Sequence, residues 1–234
     1  MLGLSSQYVK LTRLALFTVT VSAGCAALAQ PVPGCGDLRE LGQEQDYRRA
    51  AKREKDLVER NHFTPAVEAL ISGAQGLLNQ DIAYTLRWFP NHHRALVSLT
   101  KLAERNRWAP LPDMKYSVDC YFRRATQLAP DDGIARMLYA TYLFKVNRVD
   151  EALAQTDRSV MLADDSALSH YNIGLVLVEQ QQYERALQQA QRAMALGYNR
   201  TELKQRLVAA GQWRDAPEPA EGSVTPSPAA SATK

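Results

Sequence analysis

Residues 131–164 read DDGIARMLYATYLFKVNRVDEALAQTDRSVMLAD, and residues 165–198 read DSALSHYNIGLVLVEQQQYERALQQAQRAMALGY. Set one above the other at a shift of 34, the two lines keep step: Tyr139 falls over Ile173, Ala140 over Gly174, Leu143 over Leu177, Val149 over Tyr183, Ala152 over Ala186, Leu153 over Leu187 and Leu162 over Leu196. A period of this length marks a repeat architecture, in which one supersecondary unit stacks on the next. Within each line apolar residues recur at helical spacing for about 15 positions, as one face of an amphipathic helix requires. Polar Asn147-Arg148 or Gln181-Gln182 then interrupts the pattern, and a second apolar helix follows. Each line therefore predicts a helical hairpin. One more shift back places Leu128, Ala125 and Arg124 over Leu162, Ser159 and Arg158, so three second helices share one register.

Small side chains stand where helices must approach closely: Ala140 and Gly174 on the first helices, Ala152 and Ala186 on the second, with Ala125, Ser159 and Ala193 facing the next unit. Asp131, Asp165 and Asn199 fall at the starts of successive first helices and are expected as N-caps, whose side chains accept from orphan backbone N–H groups. An earlier unit is readable with Asn91 as its cap and a second helix over residues 116–129. The step from Asn91 to Asp131 is longer than the repeat period, so a short insertion is required, and residues 107–113 with Pro110 and Pro112 accommodate it. The last helix, residues 201–210, reads as the polar-faced cap that closes the exposed end of a solenoid. Upstream, residues 63–68 start a helix with Pro65 in its first turn. Residues 81–89 give another before Pro90, a pair expected to form a degenerate additional hairpin.

With Gly174 at the small eighth position, Tyr183 in the turn, Ala186 at position twenty and Ala193 at position twenty-seven, the unit over 166–198 resembles a tetratricopeptide (TPR) repeat. The unit before it matches with Ala140, Val149, Ala152 and Ser159; the proline of the family pattern is present only as Pro130. Residues 62–71 and 84–96 also resemble segments of secreted bacterial TPR proteins of no assigned activity. The resemblance implies an all-α fold, a right-handed superhelical array of antiparallel helix hairpins with an N-terminal helical extension. Its divisions are a helical extension in 30–90, repeats over 91–130, 131–164 and 165–198, and a capping helix in 199–213. It further implies an inner groove lined by the first helices. Carried onto this chain, the groove positions are Arg94, Val97 and Lys101, then Ile134, Met137, Thr141 and Phe144, then Leu168, Tyr171 and Leu175. That groove is apolar at one end and charged at the other, and suits a protein or peptide partner. Two occupants stay open: a partner segment, or the helix expected over residues 46–58 folding back.

Residues 1–29 have the layout of an export signal. Lys10 and Arg13 supply the basic region, and residues 14–23 form an apolar stretch far short of the roughly 20 residues of a bilayer span. Ala27-Leu28-Ala29 precedes Gln30, the expected first residue of a periplasmic or secreted mature chain. The alternative is a lipid anchor at Cys25, since Ser22-Ala23-Gly24-Cys25 resembles a lipobox with Ser where Leu is usual. At the other end, residues 214–234 are rich in Pro, Ala, Ser and Glu without apolar periodicity, the composition of a disordered tail.

Removing Lys10 and Arg13 takes the 28 basic residues to 26, against 25 acidic. So balanced a chain carries no footprint for nucleic acid. The basic residues Arg48, Arg49, Lys52, Arg53 and Lys55 are interleaved with Glu44, Asp46, Glu54, Asp56 and Glu59, the pattern of a solvated helix face. The phosphate-loop, nucleophile-elbow and His-Glu-x-x-His motifs are missing, so no catalytic residue, cofactor or metal is assigned. His62, His92 and His93 form the one dense group that a metal-binding or enzymatic alternative could use. Adjacent histidines on a helix point about 100° apart, which is poor metal geometry. Cleavage leaves Cys35 and Cys120, an even pair in an oxidising compartment. They are expected to form a disulfide, unless Cys120 is a buried free thiol and Cys35 lies on a loose leader. The sequence thus points to a non-catalytic adaptor of the cell envelope.

Overall fold

The computed structural model describes residues 34–38 and 42–216. The expected export signal, Cys25, Gln30 and the residues beyond Ala216, where the tail is expected, lie outside the described residues. Among these, all regular structure is helical: α1 (Lys52–His62), α2 (Pro65–Glu68), α3 (Leu78–Trp88), α4 (His93–Arg105), α5 (Val118–Leu128), α6 (Gly133–Lys145), α7 (Val149–Ala163), α8 (Ala167–Glu179), α9 (Tyr183–Ala195) and α10 (Glu202–Ala209).

The period of 34 survives into the backbone, since α6 and α8 start at 133 and 167, and α7 and α9 at 149 and 183. Helices joined by so few residues and packed along their length must run antiparallel. The three first helices also end alike. Arg107, Asn147 and Gln181 all take positive φ, at 53°, 60° and 56°. The following N–H groups reach back to the carbonyls of Ala103, Leu143 and Leu177 at 2.8, 2.9 and 2.9 Å. This is the Schellman closure, which satisfies carbonyls orphaned at a helix end. After α4 it opens into the proline-containing loop; after α6 and α8 it turns directly into the second helix.

Each hairpin packs on the next. Helix α4 meets α5 and α6, α5 meets α6, α6 meets α7 and α8, α7 meets α8, and α10 closes against both α8 and α9. Small residues set these contacts: Ala125, Ala152 and Ala186 are fully buried and Ala140 nearly so. A Cβ added at Gly174 would stand 2.4 Å from Leu203 Cδ2, so any larger residue there requires the buried Leu203 side chain to shift. Ser159 acts inside its own hairpin, its Oγ donating to the Gly133 carbonyl at 2.8 Å. Between α5 and α6 the Phe122 ring stacks on Tyr139 and Tyr142, both at 5.3 Å.

Several local expectations move. The observed caps stand one or two residues later: His92 Nδ1 accepts from Ala95 N–H at 3.1 Å, Asp132 Oδ1 from Ala135 N–H at 3.0 Å, and Ser166 Oγ from Ser169 N–H at 3.3 Å. Thr201 precedes α10 without a side-chain cap. A capping oxygen or ring nitrogen must reach the N–H three residues on, and the helices begin just past Asn91, Asp131 and Asp165, whose side chains are left for other uses. The helix expected over 46–58 starts at Lys52 and packs on α3. The helix opened by Pro65 lasts four residues, ending before Leu70 at φ 60°.

Candidate functional site

The first helices α4, α6 and α8 present two neighbouring cavities that share Ile134. One, about 250 Å³, is lined by Arg94, Val97, Lys101, Ile134 and Leu138 together with Glu68 and His93. The other, about 260 Å³, is lined by Ile134, Met137, Leu162 and Leu168, with Arg48 and Asp131 among its polar residues. The i, i+3, i+7 spacing of Arg94, Val97 and Lys101 puts them on one face of α4, and that of Ile134 and Met137 continues it on α6. Ile134, Leu162 and Leu168 are 46, 40 and 52% exposed, apolar area left in water.

The remaining groove positions lie elsewhere. Thr141 is half-buried and its hydroxyl donates to the Met137 carbonyl at 3.0 Å, and Leu175 packs against the α8–α10 core. Phe144 and Tyr171 are buried, 7 and 5% exposed. Tyr171 packs its ring 4.8 Å from Tyr198 and donates to Glu202 at 3.4 Å. Phe144 belongs to the main core cluster and Tyr171 meets Tyr198 and, on α10, Glu202, tertiary packing that a groove register alone does not convey. Leu138, Leu162 and Arg48 line the cavities although the first-helix register does not include them. Arg94 is engaged, bridging Glu59 at 3.1 Å and Glu68 at 3.0 Å, whereas Lys101 is exposed and makes no ion pair among the described residues.

The leader does not fill this face among the described residues. Residues 46–49 instead form a polar clasp at its rim. Asn91, fully buried, accepts the Tyr47 N–H at 2.8 Å and donates to Asp46 at 2.7 Å and Asp132 at 2.8 Å. Arg48 pairs with Asp46 at 2.6 Å and Asp131 at 2.7 Å, and Arg49 with Asp131 at 2.6 Å. Burial raises the Asp46 carboxyl, but hydrogen bonds from Arg48 and Asn91 outweigh it and hold the group down at about 2. The interleaved charges are thus a long-range clasp as well as a solvated face, on which Lys52 pairs locally with Asp56.

The three histidines are held by three different carboxylates: His62 Nδ1 by Asp81 at 2.8 Å, His92 Nε2 by Glu59 at 3.2 Å, and His93 Nε2 by Asp132 at 2.8 Å. Burial pushes His92 down to about 4, against the raising effect of Glu59, so the ring is neutral at pH 7. Glu59 is raised by burial, but the hydrogen bonds of Tyr47 and His92 leave it below its ordinary range. No group of three or more His, Cys, Asp or Glu placed to hold a metal occurs among the described residues.

Cys35 and Cys120 lie at disulfide-bonding distance, Cα–Cα 5.2 Å. Beside them Arg124, 1% exposed, donates to the carbonyls of Cys35, Asp37 and Leu38 and lies 4.8 Å over the Tyr116 ring. The leader is therefore anchored covalently and by a buried guanidinium. No described helix is long and apolar enough to cross a membrane. Comparisons with protein-family profiles, with curated proteins and with solved structures each find no match.

Proposed function

We propose that the chain is a non-catalytic TPR-like scaffold of the bacterial cell envelope, exported by residues 1–29 and holding a protein partner on the α4–α6–α8 face. The observation that carries this reading is the pair of adjoining cavities around Ile134, where Ile134, Leu162 and Leu168 keep much of their apolar surface exposed. Exposed apolar residues grouped beside a charged rim are characteristic of a docking surface rather than of a closed core. Hairpin-on-hairpin packing with a beat of 34 supports the TPR comparison, and the Cys35–Cys120 pair suits an oxidising compartment. The partner is expected to be an amphipathic helix or extended peptide with apolar anchors, a recurring mode of peptide recognition. Selection of a displayed peptide library on the purified oxidised chain tests this. Enriched sequences should share spaced apolar residues and lose binding to Ile134→Glu and Leu168→Glu. Selected peptides indifferent to both substitutions would place any partner elsewhere.

A further inference from the structure

Away from the apolar face, a cavity of about 320 Å³ is lined by His62, Asp81, Tyr84, Arg87, Asp113 and Lys115. Its size is at the lower end of the about 300–1,000 Å³ of small-ligand sites. Asp81, 2% exposed, is fully committed. Its Oδ2 accepts the N–H groups of Ala74, Gln75 and Gly76 at 2.7, 3.1 and 3.3 Å, and its Oδ1 lies 2.8 Å from His62 Nδ1. Burial raises this carboxyl, but those hydrogen bonds bring it below its ordinary range, so it is an acceptor only. His62 Nδ1 therefore donates to it, and Nε2 makes no hydrogen bond among the described residues. The ring is fixed further by stacking on Tyr84 at 3.7 Å.

One turn along α3, Arg87 lies 5.6 Å from the same Tyr84 ring and makes no hydrogen bond or ion pair among the described residues. The other half-buried arginines, Arg123, Arg136, Arg148 and Arg185, all hydrogen-bond to oxygen acceptors. The Arg87 Nε is buried without a partner, which costs free energy because that donor has lost water without gaining an acceptor. A cavity that combines an unmatched guanidinium with an oriented imidazole whose Nε2 has no partner among the described residues is complementary to an acid bearing both an oxyanion and a hydroxyl.

We propose that this cavity binds a small hydroxyl-bearing oxyanion, either hydrogen phosphate or a hydroxycarboxylic acid. Arg87 takes the oxyanion through its planar fork, and His62 Nε2 accepts from the hydroxyl. Lys115 adds a positive charge to the lining and Asp113 a negative one.

Isothermal titration of the purified oxidised chain at pH 7 and matched ionic strength, with phosphate, lactate, acetate and chloride, tests the assignment. Saturable binding of phosphate alone identifies inorganic phosphate, and of lactate alone the hydroxy acid; either result, or both together, supports the site. A charge-assisted fork predicts roughly 10–100-fold weaker binding in Arg87→Gln. Arg87→Lys, which keeps the charge without the fork, should be intermediate and carries the test should Arg87→Gln not fold. His62→Gln should narrow the preference for lactate over acetate. No saturable binding of phosphate or lactate, unchanged affinity in both Arg87 variants, or saturable acetate binding as tight as that of the ligand that binds would overturn the proposal.

Discussion

In the chain beginning at Gln30, replacing both Cys35 and Cys120 by serine removes the covalent anchor of the leader while leaving neither partner as a stray thiol. The cross-link joins positions separated by 85 in sequence. Releasing a loop of this length to the unfolded chain is worth about 4.5 kcal/mol on the chain-entropy model. The leader keeps its second anchor, Arg124 against the carbonyls of Cys35, Asp37 and Leu38, so the variant is expected to stay folded with a lower midpoint. With a urea m-value of about 2–3 kcal/mol/M, the midpoint should fall by about 2 M. Urea unfolding followed by circular dichroism, alongside thiol titration of the denatured wild type, supplies both numbers. Two free thiols per wild-type chain beginning at Gln30, or a midpoint displaced by less than about 0.3 M, would refute the reasoning.

Ile134→Glu and Leu168→Glu should each change stability by less than about 0.5 kcal/mol because both residues are about half exposed. Phe144→Ala, at a buried position, should cost about 3–5 kcal/mol; comparable losses at all three positions in urea melts would mean that the face is core. Gly174→Val should cost about 2 kcal/mol or more through overpacking against Leu203, despite the helix propensity it gains over glycine. A thermal melt equal to wild type would show that α10 does not pack where it is described. His92 is neutral when folded, at about 4 against 6.5 unfolded, so its contribution is full above pH 6.5 and is lost as pH falls towards 4. The loss should approach about 3 kcal/mol, and a urea-derived stability that stays flat between pH 7 and 4.5 would contradict it.

The hairpins α6–α7 and α8–α9 were legible because their stabilising contacts are near in sequence and repeat: the same small residue, the same polar break and the same positive-φ turn recur 34 positions on. The proposed docking face was legible only in part. Arg94, Val97, Lys101, Ile134, Met137 and Leu168 line its cavities, as a first-helix register implies, but Phe144 and Tyr171 are covered by neighbouring packing. The N-terminal region resisted sequence reading for a different reason. Asp46, Tyr47 and Arg48 have no apolar period, and their partners, Asn91, Asp131 and Asp132, lie several helices further along the chain. A clasp of that kind is a product of tertiary placement, so local pattern could offer only a charged stretch. The caps slipped by a residue or two because Asn, Asp and Ser are all competent caps, and the choice among adjacent ones depends on where the preceding turn ends.

The most direct measurement is a crystal structure of the chain bound to a peptide selected on it. The expected result has helical hairpins stacked side by side and the peptide lying across α4, α6 and α8 against Ile134, Met137 and Leu168. Helices gathered around a single centre without lateral stacking, or a face occupied by the chain's own leader with the peptide elsewhere, would contradict it.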